Sequence, residues 1–450
     1  MNILLISPRM NLRPVDSEYK RVMSPPLSLM TLAGMTPEEH EVILFDENAG
    51  MGRLDFSQWS DLVGITTNVD TALRAYAIAD RFRQNGIPVI LGGIHASANP
   101  EEALEHADAV CVGEAEGLWE QILEDAASGQ LVRIYRNNAS ANLADVPLPR
   151  RDLAHCAHYL CTDILCATRG CPSTCEFCYN SCDYVHHSYR TRPVELVLRE
   201  IQSLGSRHVM FIDDNLIGNP TWTCALLKAM RPLNLRWHAA VSANIGQHPE
   251  LMDLMQESGC SSLFIGFESI NEASIKGAHK KQNHPDTYAA TVAALHERGI
   301  MVNASLAFGF DQDGPGVFQS TLDWLVTNKV ETMTAHILTP YPGTRLFARL
   351  LQEGRITDFD WSHYNTANVV FTPAQMTPEE LLNGYLWIYK QLYSLPNIAR
   401  RLPAQTANWI PFLLFNLGYR KLGNVIAGLT RIGLTHAVMR TARRLSYGVE

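Results

Sequence analysis

Short apolar runs alternate with stretches of helical periodicity along most of the chain. In the first 135 or so residues, Ile3 to Ile6, Val42 to Phe45, Leu62 to Ile65, Val89 to Leu91 and Ala109 to Val112 have the continuous apolar character of strands buried on both faces. Between them, Thr71 to Gln84 and Glu114 to Ala126 carry apolar residues at helical spacing. Strands separated by helices predict a parallel sheet covered on both faces, a doubly wound, Rossmann-like α/β domain. Ligands of such sheets sit beyond the carboxyl ends of the strands. Those ends read Thr66-Thr67-Asn68, Gly92-Gly93-Ile94-His95 and Gly113-Glu114. The paired glycines either let a ligand approach the backbone closely or only make turns, and the pattern does not choose between the two.

Residues 136–152 are polar and proline-punctuated, which marks a linker. A second series follows, with strand-like runs at Asp163 to Thr168, His208 to Ile212, Arg236 to Val241, Ser262 to Phe267, Val302 to Phe308 and Thr332 to Leu338. Helical patterns at Val194 to Leu204, Thr221 to Met230, Pro249 to Glu257, Pro285 to Arg298 and Val317 to Thr327 separate them. Six strand-helix units predict an open, partial (β/α)6 barrel, with its active-site groups at the carboxyl ends of the strands. After Thr344 the rhythm gives way to helical patterns such as Glu379 to Leu392. The predicted organisation is therefore a first domain at 1–135, a linker at 136–152, a barrel at 153–355 and a helical C-terminal region at 356–450.

Composition narrows the class. With 450 residues, 46% of them hydrophobic and 18% charged, the chain has enough apolar material for two or three packed cores. The N-terminus lacks a basic n-region and reads as a first strand rather than a signal peptide. No run of about 18 apolar residues predicts a membrane-spanning helix. The thiols are thus expected in a reducing cytoplasm, where clustered cysteines suggest metal binding or catalysis. A net charge of -9 gives no overall basic footprint for nucleic acid. The charge is uneven, however. From Asn397 onward there are eight basic residues and one acid, so the tail carries +7 and the remainder -16.

Seven of the ten cysteines lie between Cys156 and Cys182. Within that stretch, Cys171-Pro-Ser-Thr-Cys175-Glu-Phe-Cys178 places three thiols within eight residues, directly after the first barrel strand. A loop this short keeps them together, so they suit an iron–sulfur cluster with one iron left open. The alternative is a zinc site completed by a histidine or by Cys182. Cys111, Cys224 and Cys260 sit in apolar contexts and read as packed thiols. Cys156, Cys161 and Cys166 recur every five residues, but alternation along a strand would send Cys161 and Cys166 to opposite faces. His155, His158, His186 and His187 flank the region on loops or surface.

Cys171, Cys175 and Cys178, with Phe177 before the last of them, resemble the signature of radical S-adenosylmethionine enzymes. The resemblance implies a 4Fe-4S cluster on the three thiolates and S-adenosylmethionine chelating the open iron. Phe177 and the Tyr179 backbone match positions that contact the adenine. Asp213-Asp214-Asn215 occupies the place of the motif that holds the methionine amino group, although many members have Gly-Gly-Glu there. Ser242, Asn244 and Glu268 match positions on the methionine carboxylate and ribose, and Leu338 opens the segment after the sixth strand.

The first domain, read beside this barrel, resembles the cobalamin-binding domain of the cobalamin-dependent radical S-adenosylmethionine group. Pro25-Pro26-Leu27-Ser28, Phe45-Asp46-Glu47-Asn48, Val63-Gly64-Ile65, Leu91-Gly92-Gly93-Ile94-His95-Ala96 and Val112-Gly113-Glu114-Ala115-Glu116 follow its order and spacing. The residues this assigns to cobalamin are Pro26, Thr66, Thr67, Asn68, Gly92, Gly93, His95, Gly113 and Glu114. The Asp-x-His-x-x-Gly motif of other cobalamin domains is absent, so base-off cobalamin without a histidine ligand is expected. A domain that has lost cobalamin stays open.

By that resemblance, one S-adenosylmethionine methylates the reduced cobalamin and another yields the 5'-deoxyadenosyl radical. The substrate radical then takes the methyl group. Cyclisation or ring contraction is the enzymatic alternative, and an iron–sulfur electron-transfer module the alternative of another class. The group also implies an external electron donor such as flavodoxin or ferredoxin. Trp409 to Leu417, then Tyr419, Leu422, Val425, Ile426 and Leu429 at helical spacing, together with the basic residues, predict an amphipathic helix. It either docks on the barrel with a solvated basic face or touches the inner membrane face, where it would favour a hydrophobic, polycyclic substrate.

Overall fold

The computed structural model describes residues 1–16, 18–50, 52–57, 60–137, 140–155, 158–185 and 188–419. Cys156, His186, His187 and the tail from Arg420 onward therefore lie outside the described residues. The first sheet contains β1 (Asn2–Ser7), β2 (Glu41–Asp46), β3 (Leu62–Thr66), β4 (Val89–Gly92), β5 (Ala109–Val112) and β6 (Ile134–Arg136), all parallel, in the order β2-β1-β3-β4-β5-β6. Its helices are α1 (Leu27–Met35), α2 (Ala72–Gln84), α3 (Ile94–Ala98), α4 (Pro100–His106) and α5 (Trp119–Ala127). Side-chain alternation explains the uniformly apolar strands. Ile3 and Leu5 share a core with Met30 of α1 and Trp119 of α5, whereas Leu4 and Ile6 share one with Tyr76 and Phe82 of α2. Strand order reverses between β1 and β3, which opens the crevice where such sheets take ligands.

Two details differ from expectation. The helix read from Glu114 begins only at Trp119, because Gly113 and Gly117, both at φ 81°, turn the chain first. Ile134–Arg136 adds a sixth strand that runs up to the segment read as a linker. That segment also packs: Leu143 is buried, and the Arg150 amide donates to the Met30 carbonyl at 2.9 Å.

The second half contains β7 (Ile164–Leu165), β8 (Thr168–Arg169), β9 (Arg190–Thr191), β10 (His208–Phe211), β11 (Arg236–Ser242), β12 (Cys260–Glu268), β13 (Met301–Phe308) and β14 (Thr332–Ile337). Six of these form an open parallel sheet in the order β14-β13-β12-β11-β10-β7, while β8 and β9 pair antiparallel beside it. The single strand read over Asp163 to Thr168 is split. The Asp213 carboxylate takes the amides of Ala167 at 3.1 Å and Thr168 at 2.5 Å, which draws them out of the ladder.

Around the sheet lie α6 (Val194–Leu204), α7 (Pro220–Met230), α8 (Pro249–Glu257), α9 (Glu272–Gly277), α10 (Tyr288–Glu297), α11 (Val317–Thr327) and α12 (Arg345–Gln352). Val209, Trp237, Ala239, Leu263, Ile265, Val302, Ala304, Met333 and Ala335 pack outward on these helices in one core. The interleaved residues, among them His238, Ser262, Asn303 and His336, therefore face the barrel interior.

The C-terminal region continues with α13 (Pro378–Leu392), α14 (Leu395–Arg400) and α15 (Trp409–Tyr419). Thr377 and Glu380 cap α13 reciprocally. This helix explains why the barrel stops at six strands. The Tyr389 hydroxyl accepts from the Ala335 amide at 2.9 Å and donates to its carbonyl at 3.1 Å. Tyr393 does the same at Met333, at 3.1 and 2.9 Å. With the Ile337 amide on the Thr366 carbonyl at 2.7 Å, the outer edge of β14 is thus occupied, which leaves no template for a further strand. Tyr393→Phe should leave a buried backbone amide and carbonyl without this partner. The expected loss is about 1–3 kcal/mol, read as a lower urea midpoint at unchanged slope.

Candidate active site

The cysteine loop follows β8 and is held from several sides. The Cys178 amide donates to the Cys175 carbonyl at 3.2 Å, and Ser181 Oγ donates to the same carbonyl at 2.7 Å. From α12, Arg349 pairs with Glu176 at 3.0 Å, the Leu346 amide donates to the Glu176 carbonyl at 3.0 Å, and Arg345 caps the Thr174 carbonyl. The Glu176 amide donates to the Ala278 carbonyl at 3.4 Å, just past α9. Cys175 is buried, Cys171 and Cys178 are half-buried, and all three are free thiols.

Burial pushes the Cys175 thiol up, with the neighbouring Lys280 charge opposing it, and pushes Cys178 up to about 12. Cys171 raises both, so the three are close enough to repel one another as thiolates. Among the described residues, no three His, Cys, Asp or Glu side chains close around one metal-ion position. A cluster spreads its thiolates over separate irons, so fit is decided by the donor set. Three mutually repelling thiols on a clamped loop beside a buried lysine fit a cationic iron–sulfur core. Cys182 lies beside Tyr184 and Gly343, and Cys166 Sγ donates to the Thr168 carbonyl at 2.9 Å.

The polar strand ends surround this loop in unequal ways. The Tyr179 hydroxyl donates to Asp214 Oδ1 at 2.6 Å, and burial pushes the Asp214 carboxyl up. Asn215, Ser242 and Asn244 form one chain: Asn215 Oδ1 accepts from the Ser242 amide at 3.2 Å, and Ser242 Oγ donates to Asn244 Oδ1 at 2.5 Å. Glu268 ends β12 at φ 62°, beside a register irregularity, and its carboxylate pairs with Lys280. A β-carbon on Gly266 would lie 2.7 Å from that carboxylate and 3.0 Å from Lys280 Nζ, so a larger residue there would have to shift the pair. Phe177 packs edge-on to Phe310 at 6.0 Å, and Leu338 is buried. Asp213 is committed elsewhere, with its carboxylate on Ala167 and Thr168.

The carboxyl ends of both sheets face a common cleft of about 440 Å³. From the first domain it is walled by Thr66, Gly92, Gly93, Gly113 and Glu114, and from the barrel by Cys166, Tyr179 and Asp214. One arm runs into the first domain as an apolar slot between Leu32, Met35, Gly64, Ile90, Cys111 and Trp119. A charged wall joins the domains. Glu114 pairs with Arg190 at 2.5 Å and Arg169 at 3.5 Å, and Arg169 also pairs with Glu116. Burial alone would raise the Glu114 carboxyl, but Arg190 and Arg169 hold it below the usual range.

Four residues assigned to cobalamin stand outside these walls. Pro26 opens α1, and Asn68 leads into the turn before α2. Thr67 is buried, with Oγ1 donating to the Gly92 carbonyl at 2.8 Å and accepting from the Ala96 amide at 3.0 Å. Gly93, at φ 99°, fits against it because a β-carbon would come 2.8 Å from the Thr67 carbonyl. His95 is fully buried and turned toward Glu102, 3.2 Å from Nε2, and the edge of Trp361.

The structure also brings in residues that no motif announced. Arg169, Arg190 and Lys280 reach the site through contacts distant in sequence. Gly64, within the Val63-Gly64-Ile65 segment of the resemblance, was not singled out as a site residue, although a glycine inside an apolar strand marks close approach of something else. His208 and His238 meet across the barrel interior, Nε2 to Nε2 at 2.8 Å, with His238 Nδ1 2.5 Å from Ser262 Oγ. Burial lowers them to about 3 and about 4, so both are neutral near pH 7.

Residues 165–325 match the radical SAM superfamily, 21–123 the B12 binding domain and 344–444 a domain of unknown function, DUF4070. The chain is 33% identical over 413 residues to the bacteriochlorophyllide d C-12(1)-methyltransferase of Chlorobaculum tepidum, covering 89% of this chain and 90% of that protein. It is 27% identical over 350 residues to the hopanoid C-2 methylase of Rhodopseudomonas palustris, covering 75% and 66%. Its fold is similar to that of the radical S-adenosylmethionine methyltransferase TsrM from Kitasatospora setae with cobalamin and [4Fe-4S] cluster bound (TM-score 0.64, 17% identity, 98% and 99% covered). It is likewise similar to the cobalamin-dependent enzyme OxsB with aqua-cobalamin and S-adenosylmethionine bound (TM-score 0.67, 15% identity, 100% and 76% covered).

Proposed function

Because this chain belongs to the cobalamin-dependent radical S-adenosylmethionine enzymes, as a radical C-methyltransferase, we propose that it methylates an unactivated carbon of a hydrophobic substrate in the cleft between its two sheets. The observation that carries this reading is the cleft itself, where Tyr179 and Asp214 beside the cysteine loop face the glycine-lined strand ends of the first domain. When bound, the cluster supplies the electron that cleaves S-adenosylmethionine, and cobalamin supplies the methyl carrier.

The protein's own residues do the rest. Cys171, Cys175 and Cys178 hold the cluster, and α12 fixes their loop. Asp214, Asn215, Ser242, Asn244 and Glu268 orient S-adenosylmethionine, with Phe177, Tyr179 and Leu338 shaping the adenine side; Asp213 acts one step back, by holding Thr168. Gly92, Gly93 and Gly113 would let a bound cobalamin approach the backbone, and the apolar residues of the slot would take its less polar part. His95, turned toward Glu102, would help to shape this end of the first domain from behind the cleft. The charged wall of Glu114, Arg169 and Arg190 keeps the two domains in register around the cleft.

The hydrophobic substrate class is supported by the two methylating relatives named above, which act on a bacteriochlorophyllide and a hopanoid. A flavodoxin or ferredoxin would deliver the electron, and a membrane surface would present an apolar substrate. The test is anaerobic turnover with trideuteromethyl S-adenosylmethionine, using bacteriochlorophyllide d, a hopanoid and an apolar cell extract as acceptors. The expected result is 5'-deoxyadenosine together with a product carrying the intact labelled methyl group. Deoxyadenosine with an altered but unlabelled product would replace methylation with a rearrangement.

A further inference from the structure

We propose that α15 moors the protein to an anionic bilayer surface. This helix is built inside out. Its inward positions are Phe412 and Asn416, both fully buried, and the polar one is tied to the barrel. Asn416 Nδ2 donates to the Glu331 carbonyl at 3.0 Å, and its Oδ1 accepts from Arg401 at 2.8 Å. Arg401 is itself fully buried and donates to the carbonyls of Val330, Glu331 and Leu392 at 2.7–2.9 Å.

The outward positions are Trp409, Ile410, Leu413, Leu414, Phe415 and Leu417, each 36–60% exposed. A helix on a water-facing surface carries its polar residues outward, and this one does the reverse. Singly exposed apolar side chains are ordinary, but six on one short helix form a patch that asks for a cover.

Two observations choose the cover. With 11 residues the helix spans only about 16 Å, half the thickness of a bilayer core, so it can lie in an interface but cannot cross one. No helix among the described residues is long and apolar enough to cross. The chain then continues from residue 420 to 450 with six basic residues (Arg420, Lys421, Arg431, Arg440, Arg443, Arg444) and one acid. Apolar insertion plus basic charge is the pair of signals that anchors a protein to anionic lipid. A second copy of the chain would instead bring two such basic stretches together.

Asn416 and Arg401 fasten the helix at the amino end of β14, the end of the barrel opposite the cysteine loop. The mooring is therefore separate from the reaction cleft, and the inference holds whatever the substrate proves to be.

Flotation of full-length, cluster-loaded protein with vesicles of phosphatidylcholine alone, and with phosphatidylglycerol added, tests the proposal. The wild type should float with the phosphatidylglycerol vesicles. An Ile410→Glu/Leu414→Glu variant should lose about tenfold or more of that binding, with unchanged thermal unfolding and an unchanged rate of S-adenosylmethionine cleavage. High salt should weaken the wild-type interaction. No flotation by the wild type, or equal flotation by both proteins, would overturn the proposal. So would a wild-type dimer in sedimentation that the double variant dissociates, because the patch would then belong to a second copy.

Discussion

Cys175→Ala is expected to yield a folded protein with no 4Fe-4S absorption and no cleavage of S-adenosylmethionine above background. The loop keeps its shape by contacts that do not use the thiol. The Cys175 carbonyl accepts from Ser181, Glu176 is clamped by Arg349, and the Ala278 carbonyl receives the Glu176 amide. What the variant removes is one of three donors, and with it the charge that Lys280 faces. Two thiolates cannot hold the irons that three do, so iron and sulfide content should fall together. Cys182→Ala and Cys166→Ala, made in parallel, should keep iron, sulfide and cleavage. Retention of the cluster spectrum and deoxyadenosine formation by Cys175→Ala would refute the assignment. Loss of iron by Cys182→Ala as well would point to a four-thiol site.

The contrast among these cysteines shows what sequence can and cannot carry. The C-x3-C-x2-C spacing is local, so a short loop alone brings the thiols together. The strands were legible for a related reason: a parallel sheet buried on both faces demands uninterrupted apolar runs, and such runs stand out against helical periodicity. The helix α1 was not legible, because Leu-Ser-Leu-Met-Thr-Leu-Ala-Gly-Met has apolar residues all round and no stripe to read. The strand at Asp163 to Thr168 was read too long, because the competitor for its amides, Asp213, lies 46 residues away from Ala167.

The site divides in the same way. Asp214, Asn215, Ser242 and Asn244 could be picked out because the family resemblance assigns them roles and each lies at the end of a strand. Their partners could not: Arg169 and Arg190 meet Glu114 across 55 and 76 residues, from one domain to the other. Position at a strand end also fails to say which way a side chain turns. Asp213 and Asp214 are neighbours, yet one is spent on backbone amides while the other faces the cleft. His95 sits next to cleft-lining Ile94 and turns away from it. The tail shows the limit of composition. Its apolar and basic content left open a helix docked with a solvated basic face or one touching a membrane; the basic residues from Arg420 onward lie outside the described residues, and within Trp409–Tyr419 the apolar side chains point outward around a buried Asn416.

Gly64→Val is expected to strip cobalamin from the protein while leaving the cluster and S-adenosylmethionine cleavage in place. Gly64 lies in the middle of β3 and forms one wall of the apolar slot. A β-carbon there would stand 2.9 Å from Leu5 Cδ2, the flexible end of a side chain, 3.9 Å from Ile90 Cγ2 and 4.0 Å from Trp119 Cη2. Its backbone is extended, outside the left-handed region that only glycine enters readily, and valine suits a strand. The cost to stability should be that of modest overpacking, about 1–3 kcal/mol, seen as a melting temperature lower by several degrees. The two valine methyls would occupy the space that the less polar part of the cobalamin would take. Corrinoid retained after desalting should therefore fall about tenfold or more. Deoxyadenosine should still form, but uncoupled from any methylated product, which separates this defect from that of Cys175→Ala. His95→Gln is the counterpart: a histidine facing Glu102 and Trp361 rather than the cleft should be replaceable with corrinoid retained. Wild-type corrinoid retention by Gly64→Val, or loss of corrinoid by His95→Gln at unchanged melting temperature, would move the cobalamin site away from this slot.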